Sequence, residues 1–525
     1  MKKLLSWLDQ NLLTVLAGLL IVFIPLYPKI PLLDALPGYN VRIRLEDVLI
    51  FITFFYFVTK VFFKKILITR SPLFKLITFY LFIGLLSVLS AIFITKTIFP
   101  EYLQVAKIFL HWFRRIEYFS LFFIFFFALK NKKNINYFLG LIGITALAVS
   151  IYGFGQKYFY WPGYSTMNRE FAKGIPVYLT QHARIMSTFG GHFDLAAYIM
   201  LTVIPLTIIG LLAKQKWIKY TSLLIAFFEY FILVLSASRT SWIAYMVGIN
   251  VALLLLLFHQ TKKFVLTRWL GVMFVSMLLM ITVGEMSERF AHIFNLDGVK
   301  DLVTKPFKSQ PPGNYISIDD VSFEDQLGVV ATDSDTPPST TKPKPRDVYY
   351  DPYQDLQARL ATGSAEEASA AAKINTGYSQ NALKYGLSAG IRLDALWPNA
   401  INGFKKNPLL GSGYSTLTKT KVWEFTYAES TDNDYLRLLG ETGLLGFLSY
   451  LAIFVSILQI LFKSFKKTKD SLYYGIFAAS IAITIGLLVN AIYIDVFESS
   501  KVAYTYWSII GLSLALSYLL EKNEK

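Results

Sequence analysis

The feature that most constrains this chain is its succession of apolar segments. A helix that crosses a bilayer needs about 20 mostly apolar residues, because its backbone must satisfy its own hydrogen bonds there. Twelve segments approach that standard, near 12–27, 46–63, 76–95, 105–129, 135–154, 193–212, 217–235, 241–258, 269–284, 443–462, 474–494 and 503–520. No small-residue cleavage site follows the first, so it reads as a retained helix and not a removed leader. Of the 525 residues, 54% are apolar and only 16% charged, whereas a soluble chain carries roughly 25% charged residues. A soluble multidomain enzyme and a disordered chain are both excluded. The lack of cysteine removes a disulfide framework, a thiolate metal site and a cysteine nucleophile. The expected fold is all-α: a polytopic integral membrane protein of about twelve transmembrane helices.

The net charge of +16 is mostly a topology signal. Lys2 and Lys3, Lys64, Lys65 and Arg70, Lys130 to Lys133, Lys214 to Lys219, Lys262 to Arg268 and Lys463 to Lys469 fill every second connection. This is the positive-inside pattern. It predicts a protein of the cell inner (plasma) membrane with both termini cytoplasmic. Basic residues interleaved with aromatics on one exposed face would be needed for nucleic acid, and no such face is present.

The layout divides into 1–284, the first nine helices; 285–442, an extracytoplasmic module; and 443–525, the last three helices and a cytoplasmic tail. The module is a large, mainly helical extracytoplasmic loop between spans nine and ten. Within it, 305–349 is dense in Pro, Ser, Thr and Asp and has little to bury, so it is expected to be disordered. Helices are expected over 351–374 and 378–404, and a Gly/Pro turn region over 407–416.

Ionisable groups in or against a span are costly and become candidates for function. Five clusters stand out. LSASRTSW places Arg239 among hydroxyls at the outer end of span seven, as a phosphate-matching fork or a snorkelling side chain. RIMSTFGGHFDLAAY brings Arg184, His192 and Asp194 to the start of span six, as an acid/base pair or a helix cap beside a solvated histidine. SAGIRLDALWP carries Arg392, Asp394 and Trp397 on a predicted helix. AESTDNDYLRLLGETG groups Glu429, Asp432, Asn433 and Asp434 before span ten, with Thr431 or Asp432 as its N-cap. Arg437 can pair with Asp434 and Glu441 along that helix. HWFRRIEYF puts His111, Arg114, Arg115 and Glu117 inside span four, which suits an internal network as well as a substrate site. No metal motif, Walker A loop or dinucleotide fingerprint is present. No cofactor is therefore expected, and energy for any chemistry must arrive with the substrate.

Four of these stretches, in order, resemble the O-antigen ligase and O-antigen polymerase-like membrane proteins. TDNDYLRLLGETGLLGFLSYL is similar to the family's signature at the end of its large periplasmic loop. STFGGHFDLAAY, SASRTSW and IRLDALWPNAINGFKKNPLLGSGYS resemble its earlier segments. The resemblance implies a glycosyltransferase using polyprenyl-diphosphate-linked sugars without metal or nucleotide. By position the family's two active-site arginines and its histidine correspond to Arg239, Arg392 and Asp432. Aspartate in place of histidine leaves polymerase and protein-oligosaccharyltransferase variants beside the ligase.

The chemistry agrees with that implication. A diphosphate leaving group develops negative charge that arginine forks can stabilise. The acceptor hydroxyl needs a base, for which Asp432 and Glu429 are the first candidates and His192 a lesser one. A carboxylate near its ordinary pKa of about 4 is a weak base, so burial or a like-charged neighbour such as Asp434 should raise it. Arg184, His192, Asp194, Trp397, Asn433 and Asp434 are the expected substrate-binding residues. The expected partners are a polyprenyl-diphosphate-linked glycan donor, a glycan, lipid or protein acceptor, and membrane lipids. A polytopic transporter or flippase for a lipid-linked glycan or other small solute is the alternative, disfavoured because no repeated halves are visible. A structural scaffold would leave the outer clusters without a role.

Overall fold

The computed structural model describes residues 2–35, 42–167, 171–179, 183–283, 381, 387–419, 422 and 430–523. Most of the 285–442 module, including 305–349 and the helix expected over 351–374, lies outside these residues, as does Glu429. The described chain is mostly helical. Its long helices are α1 (Lys2–Leu26), α2 (Leu45–Phe62), α3 (Phe74–Phe93), α4 (Tyr102–Ala128), α5 (Ile135–Tyr158), α6 (His192–Leu212), α7 (Lys216–Leu235), α8 (Arg239–Leu256) and α9 (Lys262–Thr282). After the undescribed stretch come α10 (Leu387–Ile391), a π-helical turn (Arg392–Leu396) and α11 (Trp397–Lys406). The chain ends with α12 (Asp434–Lys467), α13 (Ser471–Asn490) and α14 (Ser500–Asn523). A two-stranded antiparallel ribbon, β1 (Pro31–Asp34) with β2 (Arg42–Arg44), joins α1 to α2.

Among the described residues, nine helices are long and apolar enough to cross a membrane: α3, α5 to α9, and α12 to α14. The chain is thus a multi-pass membrane protein by length and composition, with nine such helices where twelve were expected. The apolar part of α1 is shorter, and α2 and α4 fall outside the nine. α4 carries Lys107, Arg114, Arg115 and Glu117.

Burial sorts the helices into a centre and a rim. The apolar windows of α6, α14 and α13 are 89%, 83% and 72% buried inside the protein, while that of α9 is 17% buried. The central helices are therefore covered by other helices and the rim helices face the surroundings. Close crossings rely on small residues, as expected where packing and not water exclusion holds helices together. At the α8–α13 contact, a Cβ on Gly248 would stand 3.0 Å from the Ala482 carbonyl, and one on Gly486 2.9 Å from that of Ala244.

One turn fixes the start of α12. Gly443 has φ 65° and ψ −168° inside the helix, a kink that only glycine adopts freely. The 407–413 segment crosses this kink backbone to backbone. Leu444 N–H donates to Pro408 O at 2.8 Å, Ser412 N–H to Gly440 O at 2.8 Å and Gly413 N–H to Glu441 O at 3.0 Å. A Cβ on Gly443 would lie 2.4 Å from the Leu409 carbonyl carbon, and one on Gly411, itself at φ 71°, 2.4 Å from that of Glu441. The Gly/Pro turn region thus locks α11 against α12.

Candidate functional site

Ionisable side chains concentrate at one end of the bundle, opposite the Lys-rich connections. The starts of α2, α4, α6, α8, α12 and α14 and the ends of α1 and α13 meet there. Arg392 leaves the π-helical turn and pairs with Asp432, Nη2 to Oδ2 at 2.8 Å. Its guanidinium lies 4.0 Å from the centre of the Tyr493 ring, a cation–π contact. Trp397, one helical turn on, meets the same ring edge-on at 6.4 Å. Asp394 faces elsewhere and accepts from Asn381 at 2.6 Å. The two charges of that helix therefore have separate partners.

Asp432 sits in a left-handed turn, φ 51°. The Ser430 hydroxyl donates to its Oδ1 at 2.6 Å. Its side chain is 31% exposed, against 7% for Arg392, so the carboxylate is the accessible member of the pair. Burial pushes the Asp432 carboxyl above its usual range; Arg392 opposes the shift and the Asp495 carboxylate adds to it. The like-charged neighbour is Asp495, not Asp434.

The helix start differs from the sequence expectation. Asn433, not Thr431 or Asp432, is the N-cap of α12: its Oδ1 accepts from Leu436 N–H at 2.9 Å, and its Nδ2 donates to Ile492 O at 2.9 Å. Asp434 turns inward and accepts from Phe497 N–H at 3.1 Å. Arg437 reaches Glu441 at 3.4 Å, as the spacing predicts, and also Asp495 at 2.9 Å. Arg115 pairs with Glu498 and lies 3.7 Å from Glu441. Arg115, Arg437, Asp434, Glu441 and Glu498 line a small cavity of about 20 Å3.

Arg239 is exposed on the first turn of α8. The end of α13 and the segment after it link the first turn of α8, through Ser241, to the Arg392 pair. Asn490 donates to Ser241 at 3.0 Å, Asp434 N–H donates to Ala491 O at 3.0 Å, and Tyr493 supports Arg392. Arg184 and His192 meet each other, Nη1 to Nε2 at 3.0 Å. Asp194 instead accepts from the Ser499 hydroxyl. His192 and Asp194 thus serve different partners and do not form a pair.

Sequence reasoning overlooked Tyr493, Asp495, Glu498, Lys29 and Lys501. Lys501 is buried and donates to the carbonyls of Pro25, Tyr27 and Thr188 at 3.1, 2.5 and 2.8 Å. It therefore caps the end of α1 from α14. Lys29 bonds Glu46 at 2.8 Å and Ser500 at 2.6 Å. The available signal was the acidic YIDVFESSK connection between two apolar spans.

Residues 365–451 match the family described as O-antigen ligase. The resemblance carried by the sequence motifs holds over this stretch. The ligase-like stretch contains Arg392, Trp397, the 407–416 turn, Asp432 and the Gly443 kink, so the glycines and charges that build the pair all lie inside it. Arg239, α6 and the α13–α14 connection lie outside it. No curated protein matches the chain. Among the described residues, no group of three His, Asp or Glu side chains is arranged to hold a metal ion.

Proposed function

We propose that the protein is a membrane glycosyltransferase of the O-antigen ligase/polymerase type. It transfers or polymerises glycan from a polyprenyl-diphosphate donor onto an acceptor hydroxyl, without metal or nucleotide. The observation that carries this reading is the Arg392–Asp432 pair, a shielded guanidinium against a partly open carboxylate, inside the ligase-like stretch. In this reading α1, α2 and α4 complete twelve spans. The 285–442 module is extracytoplasmic, the protein lies in the inner membrane, and both termini are cytoplasmic, in keeping with the Lys-rich connections at the opposite end.

The reaction follows from the charges. The acceptor oxygen attacks the anomeric carbon as the bond from that carbon to the diphosphate oxygen breaks. The bonding pair leaves with the polyprenyl diphosphate. Arg392 and Arg239 stabilise the charge that develops there. The hydroxyl proton passes to Asp432, whose raised proton affinity makes it a better base. Asp432 bonded to Arg392 keeps the base charged and aimed. The exposed Arg239 is free to meet the donor first. Glu429 is a second candidate base, Arg184, His192, Asp194 and Trp397 are candidate substrate-binding side chains, and the buried Asn433 and Asp434 hold the turn beneath Asp432.

The test is product analysis with purified protein, a polyprenyl-diphosphate oligosaccharide and candidate acceptors. A ladder of chain lengths identifies a polymerase, and one-step transfer to lipid or protein a ligase or oligosaccharyltransferase. No covalent product from a folded protein with any acceptor class overturns the reading and favours a transporter.

A further inference from the structure

The α13–α14 connection lies outside the ligase-like stretch, yet it holds the turn that presents Asp432. Asp495 Oδ1 accepts from Asn433 N–H at 2.8 Å. Its Oδ2 accepts from Thr431 N–H at 2.9 Å, the Ser430 hydroxyl at 3.1 Å and Arg437 Nη1 at 2.9 Å. Three N–H donors hold this carboxylate, and the single Ser430 hydroxyl proton is shared between it and the closer Asp432 Oδ1. Two of those donors are the amides on either side of Asp432. Between them Asp432 adopts φ 51°, a left-handed conformation that costs an L-residue about 1 kcal/mol or more. Something must hold it there: the Asp495 carboxylate takes the N–H of the residue before and of the residue after, while Asp432's own N–H donates to Ser430 Oγ at 3.2 Å. Two residues earlier, Tyr493 supports the Arg392 guanidinium. The same connection therefore touches both members of the pair.

We propose that Asp495 is a positioning residue for the transfer reaction: its carboxylate clamps the Thr431 and Asn433 amides, forces Asp432 into its left-handed turn, and so aims the Asp432 carboxylate at the acceptor beside Arg392. Asp495 touches neither donor nor acceptor. It acts through the backbone of its neighbours, while Arg437 neutralises it from α12 and links it to Glu441. This inference rests on the transferase reading, with Asp432 as the base.

The charged groups facing Asp432 are Arg392 from the helical segment before α12, Asp495 from the connection, and Arg437 from α12. Replacing Asp495 by a neutral residue removes the one anion among them and leaves Arg437 with one anionic partner fewer. Both changes favour the ionised form of Asp432. The acid limb of the pH–rate profile, where Asp432 must lose its proton to act, therefore moves to lower pH. A residue that merely supports the fold would lower the amount of active protein and leave that limb in place.

The experiment compares wild type with Asp495→Asn, which keeps the shape but loses the charge and one acceptor oxygen. Hydrogen exchange of 430–434 followed by mass spectrometry is read on the same samples, together with kcat, KM and the pH profile. The expected result is faster exchange at Thr431 and Asn433, kcat lower by about 10²-fold as for a small misplacement of a reacting group, little change in KM, and an acid limb at lower pH. Unchanged exchange, or faster exchange with wild-type kcat and an unmoved limb, overturns the proposal. If Asp495→Asn does not fold, Asp495→Ser carries the same readouts; failure of both to fold makes Asp495 a folding residue and also overturns it. Wild-type protein that transfers no glycan overturns the transferase reading itself, and the exchange result then decides the clamp alone.

Discussion

Two adjacent arginines on α4 root two charge networks that end differently. Arg114 joins Asp47 at 3.0 Å, Glu117 at 2.7 Å and Tyr504 at 2.8 Å. Every partner belongs to α2, α4 or α14, and the network closes on itself. Arg115 joins Glu498 and Glu441, and Arg437 carries the network on to Asp495, which grips the turn bearing Asp432. That second network ends at a carboxylate 31% exposed and paired with a shielded arginine. The chemistry of the two is the same, and closure separates them. A closed network fixes helix packing, since removing one member strands a charge. A network with an open end presents a charge held in one place, which is what a transfer reaction needs.

Breaking the open end should cost activity while the fold survives. Arg392→Ala is expected to lower the transfer rate by about 10²- to 10³-fold, the loss typical of one removed transition-state donor, with an unchanged melting temperature. Arg239→Ala, tested in the same way, should fall in that range, while Arg239→Lys should restore only part because an ammonium lacks the planar fork. Arg114→Ala should do the reverse. It is expected to destabilise by about 1 kcal/mol, the upper value for ion pairs that still see solvent, seen as a lower melting temperature, with near-normal activity per folded molecule. Gly443→Ala acts on the fold and on the open network together, since it disturbs the kink beside Glu441. Its side chain meets the Leu409 backbone, so thermal stability and rate should fall together. The smallest effect concerns pH. Because Asp432 binds its proton more tightly than a free aspartate, activity should be full above its raised pKa and be lost as pH falls through it, and the acid limb should lie above pH of about 4. An acid limb at or below that value would remove Asp432 as the base.

The parts legible from sequence were those with a local signature. Long apolar runs gave most helix ends to within about five residues, because each span must satisfy its own backbone wherever it sits; α1, α9 and α12 start 10, 7 and 9 residues earlier than the apolar runs do. The i,i+4 pair Arg437–Glu441 and the i,i+3 pair Arg114–Glu117 followed from helical spacing alone. What sequence did not reveal depends on distant partners. Arg392 and Asp432 are 40 positions apart, and the 407–413 crossing of the Gly443 kink and the α13–α14 connection bring their elements together. Asp495 sits in a short connection with no periodicity, where an acid reads as solvated loop. The cap was misassigned because Thr431, Asp432 and Asn433 all suit an N-cap, and it is the Asp495 clamp that turns Asp432 out and leaves Asn433 to cap. The charges in span four proved to be ties to α2, α12 and α14, as an internal network would require.

The most direct measurement of the central claim is the transfer rate of purified Asp432→Asn across the pH range, in the presence of a metal chelator and beside wild type at matched folded protein. The account predicts that wild type transfers glycan with the chelator present and that the variant is slower by about 10²- to 10⁴-fold at every pH, the span typical of a lost general base. Wild-type rates in the variant, or wild-type activity abolished by the chelator and restored by a divalent cation, would contradict it.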